Sequence, residues 1–386
     1  MSGIVLSASV RQNLLSLQST ADLLSTTQNR LATGNKVNSA LDNPTNFFTA
    51  QSLNNRASDI NNLLDGIGNG VQVLQAANTG ITSLQKLVDT AKSIANQVLQ
   101  TTVGYSTKST VSSAAAVGGT AANLVDGVTI KSGDVLAIAA TGGGTATSIT
   151  LGASYSLAQL NTALAANNLS ASLDSANKLV ITTTNDAASS TIGAVTFTTT
   201  GTASFGAVGA PVADPASQAI RSNLVSQYNN IIQQITTTAQ DASFNGINLL
   251  NGDNLKLTFN ETGKSTLSIT GVTYNATGLG LNSLVSGTDF LDNNSANKAL
   301  TSLSAASTLL RTQASALGSN LSIVQIRQDF SKNLINVLQT GSSNLTLADT
   351  NQEAANSQAL STRQSIAVSA LALANQSQQS VLQLLR

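Results

Sequence analysis

The chain of 386 residues has no cysteine, no histidine and no tryptophan, and Glu261 and Glu353 are its only glutamates. These absences exclude disulfide bonds, zinc sites with cysteine or histidine ligands, thiol nucleophiles and His-dependent catalytic triads. The aspartates are scattered, mostly in predicted turns, so no pair of facing carboxylates is expected. We therefore expect a structural protein rather than an enzyme, without a cofactor or a bound metal.

Charged residues are also scarce, at 9%, and 18 basic residues balance 18 acidic ones. A protein that binds nucleic acid through phosphate neutralisation needs a basic surplus, so that class is excluded. The longest aliphatic run, residues 135–140, is far shorter than the ~20 residues of a membrane-spanning helix. The first residues have no basic segment, and Ser7 and Ser9 interrupt their apolar stretch. We expect no membrane span and no cleaved signal peptide, so export requires another route.

Both outer thirds of the chain have the apolar periodicity of helices. Near the N-terminus a seam, meaning a line of side chains spaced alternately by four and three residues, includes Val10, Leu14, Leu17, Ala21, Leu24, Gln28 and Leu31. Such a heptad seam calls for a partner helix along its length. It ends at Gly34, and Asp42–Pro44 predicts a break because the residue before proline avoids the helical conformation.

Further helices are predicted at about 57–100, 217–239 and 300–338, followed by a last helix after Gly341 that carries Ile366 and Leu373. In the first of these, eleven consecutive stripe positions are apolar. Its glycines at 66, 68, 70 and 80 each cost about 1 kcal/mol relative to alanine, which packing of the stripe has to outweigh. Asp214 before Pro215 is typical of a helix N-cap.

Residues 104–211 are instead rich in threonine, alanine, glycine and serine, and short alternating runs predict strands. The runs are at 128–130, 134–139, 148–151, 179–183 and 195–199. Ser156 and Gln159 have the spacing of a capping box for a helix at 157–166. A hairpin is predicted from 255–259 and 267–274. The pattern indicates a multidomain α+β fold: a long coiled-coil-like helical rod formed by the N- and C-terminal segments, with an inserted β-rich domain.

The end seams have two interpretations, the interior of an ordinary antiparallel bundle or a contact surface of a polymer. Few charges flank the first seam, so little repulsion opposes the stacking of copies. Both end seams are separated from the other helices, by Asp42–Pro44 and by the region of Gly341. These two facts favour the contact surface.

Three motifs resemble bacterial flagellins. Arg30–Asp42 (RLATGNKVNSALD) resembles the N-terminal flagellin signature, Phe244–Gly252 (FNGINLLNG) resembles the turn that enters the flagellin hairpins, and Ala372–Arg386 is similar to the flagellin C-terminus. The motifs occur in the family's order, and the resemblance covers about the first 103 and the last 170 residues. The middle of the chain corresponds to the variable outer domain of the family.

The resemblance implies three domains: 1–42 with 345–386 as the terminal filament-core domain, 43–103 with 216–344 as a helical rod with a hairpin at about 251–280, and 104–215 as the surface domain. It implies a subunit that polymerises into the flagellar filament, leaves the cell unfolded through the flagellar type III system and is extracellular. Filament cap, hook-associated proteins and an export chaperone are the implied partners besides the chain itself. The expected self-assembly residues are Val10, Leu14, Leu17, Leu24, Leu31, Ile366, Leu373 and Leu384.

One departure from the family concerns an animal Toll-like receptor that many flagellins activate. The family's arginine and leucine on the second helix correspond to Thr90 and Ile94 when the chain is aligned by Gln97. Threonine cannot replace the several donors of a guanidinium. We expect weak receptor activation, as in flagellins of α-proteobacterial type.

Two alternatives to the filament subunit stay open. A hook–filament junction protein shares the end helices but forms only a short collar, and the C-terminal match favours the filament subunit over it. A secreted adhesin would use the β-rich module to bind glycans. A flagellin with an inserted metalloprotease is excluded because its motif needs histidine.

Overall fold

The computed structural model describes residues 8–384, except for the side chains of Gln378 and residues 381–384. Its helices are α1 (Ala8–Thr33), α2 (Pro44–Gln100), α3 (Leu157–Ala165), α4 (Pro215–Asp241), α5 (Asn293–Thr346) and α6 (Thr350–Leu384). Its strands are β1 (Tyr105–Thr107), β2 (Thr110–Ser112), β3 (Val135–Ile138), β4 (Thr147–Thr150), β5 (Leu169–Leu173), β6 (Leu179–Thr183), β7 (Val195–Thr198), β8 (Val212–Ala213), β9 (Leu255–Thr258) and β10 (Thr266–Ile269). The α+β class with long terminal helices and a β-rich insertion is confirmed.

Helix α2 begins 13 residues earlier than the apolar stripe predicts, directly after the expected break. Pro44 occupies its first position, where the missing N–H costs nothing because that group has no partner within a helix. The side chain of Asn43 accepts a hydrogen bond from the backbone N–H of Asn46 at 3.0 Å. The Asp42–Pro44 step therefore starts α2 as well as ending the preceding segment.

The break expected at Gly341 is wrong, because α5 continues through Gly341 to Thr346. A Cβ atom on Gly341 would lie 3.5 Å from Leu53 Cδ1, and the hydroxyl of Ser342 donates to the carbonyl of Ala50 at 3.2 Å. Close packing against α2 thus keeps the glycine helical. The real break is at 347–349, where Asp349 caps α6 by accepting from the backbone N–H of Asn351 at 3.0 Å.

The contacts divide the chain into two compact units. The first comprises the described residues up to Asn69, Leu257–Leu267 and the described residues from Ile323 onward. In it Ala57 and Ile60 of α2 pack with Ile335 and Leu338 of α5. Near the hairpin tip, Arg56 Nε lies 2.8 Å from Glu261 Oε1, and the guanidinium of Arg327 lies 5.7 Å from the ring centre of Phe259.

The second unit comprises Gly70–Lys256 and Ser268–Ser322. Its helical segments bury apolar faces that include Leu74, Ile81, Leu84 and Val88 of α2, Leu224, Val225 and Ile235 of α4, and Leu303 and Leu310 of α5. The side chain of Arg221 is fully buried among them. Gly80 is required by close approach, since a Cβ there would lie 2.6 Å from Ala242 Cβ and 2.7 Å from Leu250 Cδ1.

Within the second unit, the inserted β-rich module has a hydrophobic core of its own, built from residues between Val111 and Ala203. One antiparallel sheet has the order β2-β6-β5 and another has the order β4-β3-β7. Strands β1 and β8 pair where the module begins and ends, with Tyr105 opposite Ala213. Helix α3 has the expected capping box of Ser156 and Gln159.

The predicted strand at 128–130 is absent. The carboxylate of Asp126 accepts hydrogen bonds from the backbone N–H groups of Val128, Thr129 and Ile130 at 2.9, 2.7 and 3.0 Å. These donors are therefore engaged locally in a turn and do not form a ladder. The four other runs predicted in the module correspond to β3, β4, β6 and β7, whereas β1, β2, β5 and β8 were not expected.

No helix in the described part of the chain has the length and apolar character needed to cross a membrane.

Candidate self-assembly surfaces

Helices α1 and α6 contact each other along their inward faces, which are mostly polar or small. The least exposed side chains of α1 are Val10, Asn13, Leu17, Thr20, Ala21, Leu24, Thr27 and Arg30. Those of α6 are Glu353, Ser357, Leu360, Gln364, Ala367, Leu371 and Ala374. Among the side chains of α6 that the structure describes, Leu360 and Leu371 are the two large apolar ones on this face, so contact between the described parts of the two helices buries little apolar surface.

Both end helices also carry large apolar side chains that are exposed to water. On α1 the exposed fractions are 45% for Leu14, 67% for Leu15, 51% for Leu23 and 39% for Leu31. On α6 they are 64% for Ile366, 51% for Val368 and 71% for Leu373. Exposed large apolar side chains in this number indicate an interaction site. We call these seven residues the outer end surface.

Some of the expected self-assembly residues lie in the contact between α1 and α6, and others belong to the outer end surface. Val10 is buried, and Leu17 and Leu24 are half-buried toward α6. Leu14, Leu31, Ile366 and Leu373 belong to the outer end surface. The side chain of Leu384 lies outside the described residues. The sequence interpretation missed Leu15, Leu23 and Val368, although the eight-residue spacing of the two leucines places them on one side of α1.

The two breaks in the helices are hydrogen-bonded to each other. Backbone N–H groups of Lys36 and Ala348 donate to the carbonyls of Thr346 and Gly34 at 2.7 and 2.9 Å. Asn35 and Leu347 form an antiparallel bridge between these bonds. Gly34 has a φ of +72°, which favours glycine. Gly34, the glycine within the N-terminal signature, is thus required by the backbone of the joint where the two breaks meet.

The Asn38–Asp42 turn beside this joint is held by one carboxylate. Backbone N–H groups of Ser39 and Asn38 donate to Asp42 Oδ2 at 2.8 and 3.0 Å, and the Ser39 hydroxyl donates at 3.1 Å. These bonds, the one from the Ser39 N–H foremost, lower the pKa of Asp42, and the nearby Arg30 acts in the same direction. Asn38, Ser39 and Asp42 of the N-terminal signature therefore stabilise this turn through their hydrogen bonds.

A second exposed apolar stripe lies on α5 within the first unit. Ile323, Ile326, Phe330 and Val337 are exposed, and their spacing places them on one side of the helix. The opposite side of α5 carries the buried Ile335 and Leu338. The sequence predicted a helix at 300–338 but did not single out this stripe.

The three positions that correspond to receptor-binding residues differ in accessibility. Thr90 and Gln97 are exposed on α2, and the Thr90 hydroxyl donates to the carbonyl of Lys86 at 2.9 Å. Ile94 is only 8% exposed. A partner approaching this part of α2 thus meets Thr90 and Gln97 but not Ile94.

Comparison with known proteins identifies the family. The model of the bacterial flagellin N-terminal helical region matches residues 5–123, and that of the C-terminal helical region matches residues 300–385. The chain belongs to the bacterial flagellin family. Both flagellin models include an end helix with part of the outer end surface, and the second also includes the stripe on α5.

Among flagellins, the chain is 34% identical to flagellin FljM and 33% identical to flagellin FljK of Caulobacter vibrioides, each over 168 residues that make up 42% of this chain. It is 28% identical to the flagellin of Brucella melitensis over 182 residues, 44% of this chain. These similarities support the α-proteobacterial type. The matches span 59% of the two Caulobacter proteins and 64% of the Brucella protein.

Proposed function

We propose that this flagellin is a non-enzymatic structural subunit that polymerises into the bacterial flagellar filament outside the cell. The observation that carries the proposal is the outer end surface on α1 and α6, whose apolar side chains the rest of the described chain leaves between about two-fifths and seven-tenths exposed. Further copies of the chain would cover it, through heterologous contacts that extend without closing into a ring.

The energetics of the two faces support this proposal. Full burial of a leucine, isoleucine or valine stabilises by about 1.5–3 kcal/mol, and the outer end surface contains seven such residues. Contact between α1 and α6 alone leaves much of the apolar area of these residues exposed, so most of that stabilisation is not gained in the single chain. Ordering of the end helices would therefore be coupled to assembly, as for segments that fold on binding.

The domain division belongs to the same proposal. Residues 1–42 with 345–386 would form the filament core, 43–103 with 216–344 the rod, and 104–215 the surface domain. The stripe of Ile323, Ile326, Phe330 and Val337 would add contacts between rods. Export through the flagellar type III system, with a chaperone, and contacts with cap and hook-associated proteins complete the proposal, as does weak activation of the Toll-like receptor.

Substitution of Leu373 by Asp tests the proposal directly. Leu373 is 71% exposed in the single chain, so Leu373→Asp should leave the circular dichroism and the thermal unfolding of the monomer unchanged. In a filament the carboxylate would be buried without a partner, at a cost of several kcal/mol, and seeded elongation should cease. Elongation is measured by light scattering and by electron microscopy of filament length.

Ser361→Asp is the matched control, because it adds the same charge at an exposed polar position of α6. It should elongate from seeds. Long filaments of the Leu373→Asp variant would contradict the proposal, whereas short collars of the unsubstituted chain would favour the junction protein.

A further inference from the structure

A cavity of about 340 Å³ lies within the second unit, where the Gly142–Gly143 turn of the module approaches the first turns of α5. The side chain of Asn294 donates to the carbonyl of Gly142 at 2.9 Å and closes one side. Both glycines have positive φ, +54° and +80°, which allows this tight approach. The volume is in the range of sites for small molecules.

Three charged side chains line this cavity, Asp289, Asp292 and Lys298, and none of them forms an ion pair with a described residue. Neither Asp289 nor Lys298 has an oppositely charged group of a described residue within 4.0 Å. Asp289 Oδ2 accepts from the backbone N–H of Val285 at 2.7 Å, which leaves Oδ1 for another donor. The nearby Asp292 is engaged differently, because its oxygens accept from Ser295 N–H and from the Ser189 hydroxyl.

Tyr228 of α4 also lines this cavity. Its side chain is among the largest fully buried ones, and the residue is 2% exposed. Its hydroxyl makes no hydrogen bond with any described residue. The fully enclosed side-chain polar atoms that lack a partner in the described residues are on Arg30, Thr183 and Thr184. The Tyr228 oxygen is not one of them, so it keeps some accessible surface from which it can donate to a ligand. Burial raises the pKa of Tyr228 to about 12. A tyrosine hydroxyl is protonated at neutral pH even without this shift, so it can donate a hydrogen bond there.

We propose that this cavity binds a small zwitterion of the free α-amino-acid type, with its ammonium group at Asp289 and its carboxylate at Lys298 and the Tyr228 hydroxyl. A ligand with one charge would satisfy only one of the two unpaired groups, and a neutral ligand would satisfy neither. The ring of Tyr228 is held edge-to-face against Phe290, with centroids 5.8 Å apart, so its hydroxyl is positioned before binding. This binding is independent of polymerisation.

The test is ligand-observed NMR on the full-length monomer with L-serine and glycine as probes, in parallel with acetate and methylammonium. Because Lys298 is exposed, we expect dissociation constants on the order of 1 mM for the amino acids. The two single-charge compounds should bind at least about tenfold more weakly. Equal binding of acetate or methylammonium, or no binding of either amino acid, overturns the proposal.

Three variants assign the binding to this cavity. Asp289→Asn and Lys298→Gln each remove one charge, and Tyr228→Phe removes only the hydroxyl while keeping the ring. Each should weaken L-serine binding by about tenfold or more, whereas Lys264→Gln, an exposed lysine of the hairpin, should not change it. Unchanged binding in all three cavity variants overturns the proposal, and thermal unfolding confirms that each variant is folded.

Discussion

Arg30 Nη1 of α1 lies 3.5 Å from Glu353 Oε1 of α6, and Arg30 Nε is buried without a hydrogen-bond partner. Glu353 is 9% exposed. The pair lies close to the bridge between Asn35 and Leu347, at the end of the end-helix pair nearest the joint. The ion pair links two helix faces that are otherwise joined mainly by small and polar side chains. Its contribution to the stability of the contact between α1 and α6 can be measured.

Arg30→Met should destabilise the contact between α1 and α6 by about 1–3 kcal/mol, because it leaves the largely buried carboxylate of Glu353 without its cation. Hydrogen exchange of the backbone amides of α1 is the measurement. The double variant Arg30→Glu with Glu353→Arg restores opposite charges and should recover most of the protection. Equal protection in Arg30→Met and the unsubstituted chain would show that the ion pair does not stabilise this contact.

The sequence predicted the end helices but not which of their faces turns inward. An apolar stripe has the same spacing whether its own chain or another copy covers it. The inward face of α1 includes the buried Thr20 and Thr27, which a search for apolar stripes passes over. The Thr20 hydroxyl donates to the carbonyl of Ser16 at 2.8 Å, so its burial leaves no unsatisfied group.

In the module, the strand predictions from alternating apolar residues failed in two ways. One predicted strand is absent, and several observed strands, β5 among them, were not predicted. The run at 128–130 alternates like a strand, but the carboxylate of Asp126 engages its N–H groups. Strand β5 was missed although Leu169–Leu173 alternates apolar residues with serine, because the segment contains none of the β-branched or aromatic residues that are enriched in strands. The cavity beside Tyr228 could not be predicted, since it depends on segments far apart in sequence.

Two glycines of α2 should respond oppositely to alanine. A Cβ on Gly66 meets no atom within 4 Å, so Gly66→Ala should stabilise by about 0.5–1 kcal/mol through helix propensity. A Cβ on Gly80 would lie 2.6 Å from Ala242 Cβ, so Gly80→Ala should destabilise by about 1–3 kcal/mol. Urea unfolding of both variants measures the difference, and stabilisation by Gly80→Ala would contradict the close packing of α2 at this position.

Ionisation of Tyr228 should lower the free energy of unfolding of the second unit at alkaline pH. Burial raises its pKa from 10.0 to about 12, so folding favours the neutral phenol. The resulting stability is fully present below pH 10 and is lost as the pH rises toward 12. Tyr228→Phe cannot ionise, so its unfolding free energy should fall less steeply over this range. If the unfolding free energies of the variant and of the unsubstituted chain fall in parallel between pH 10 and 12, the desolvation of the Tyr228 phenol is contradicted.

Substitutions of Arg221 test how the C-terminal end of α2 is joined to the start of α5. Its fully buried guanidinium donates to the carbonyls of Val98, Thr101, Thr102, Phe290 and Asp292 and to the side chain of Asn293. The group thus satisfies carbonyls at the C-terminal end of α2, where the helix dipole favours a cation, and joins them to the start of α5.

Arg221→Lys should destabilise the chain by about 3 kcal/mol, because an ammonium has three donors and cannot reproduce the planar fork. Arg221→Met should cost at least as much, since the carbonyls of Val98 and Thr101 would lose their partner. Hydrogen exchange should show the loss in the last turn of α2 and the first turn of α5, while amides of β5 and β6 in the separate core of the module stay protected. Equal loss throughout the module would mean that its core depends on Arg221 for folding.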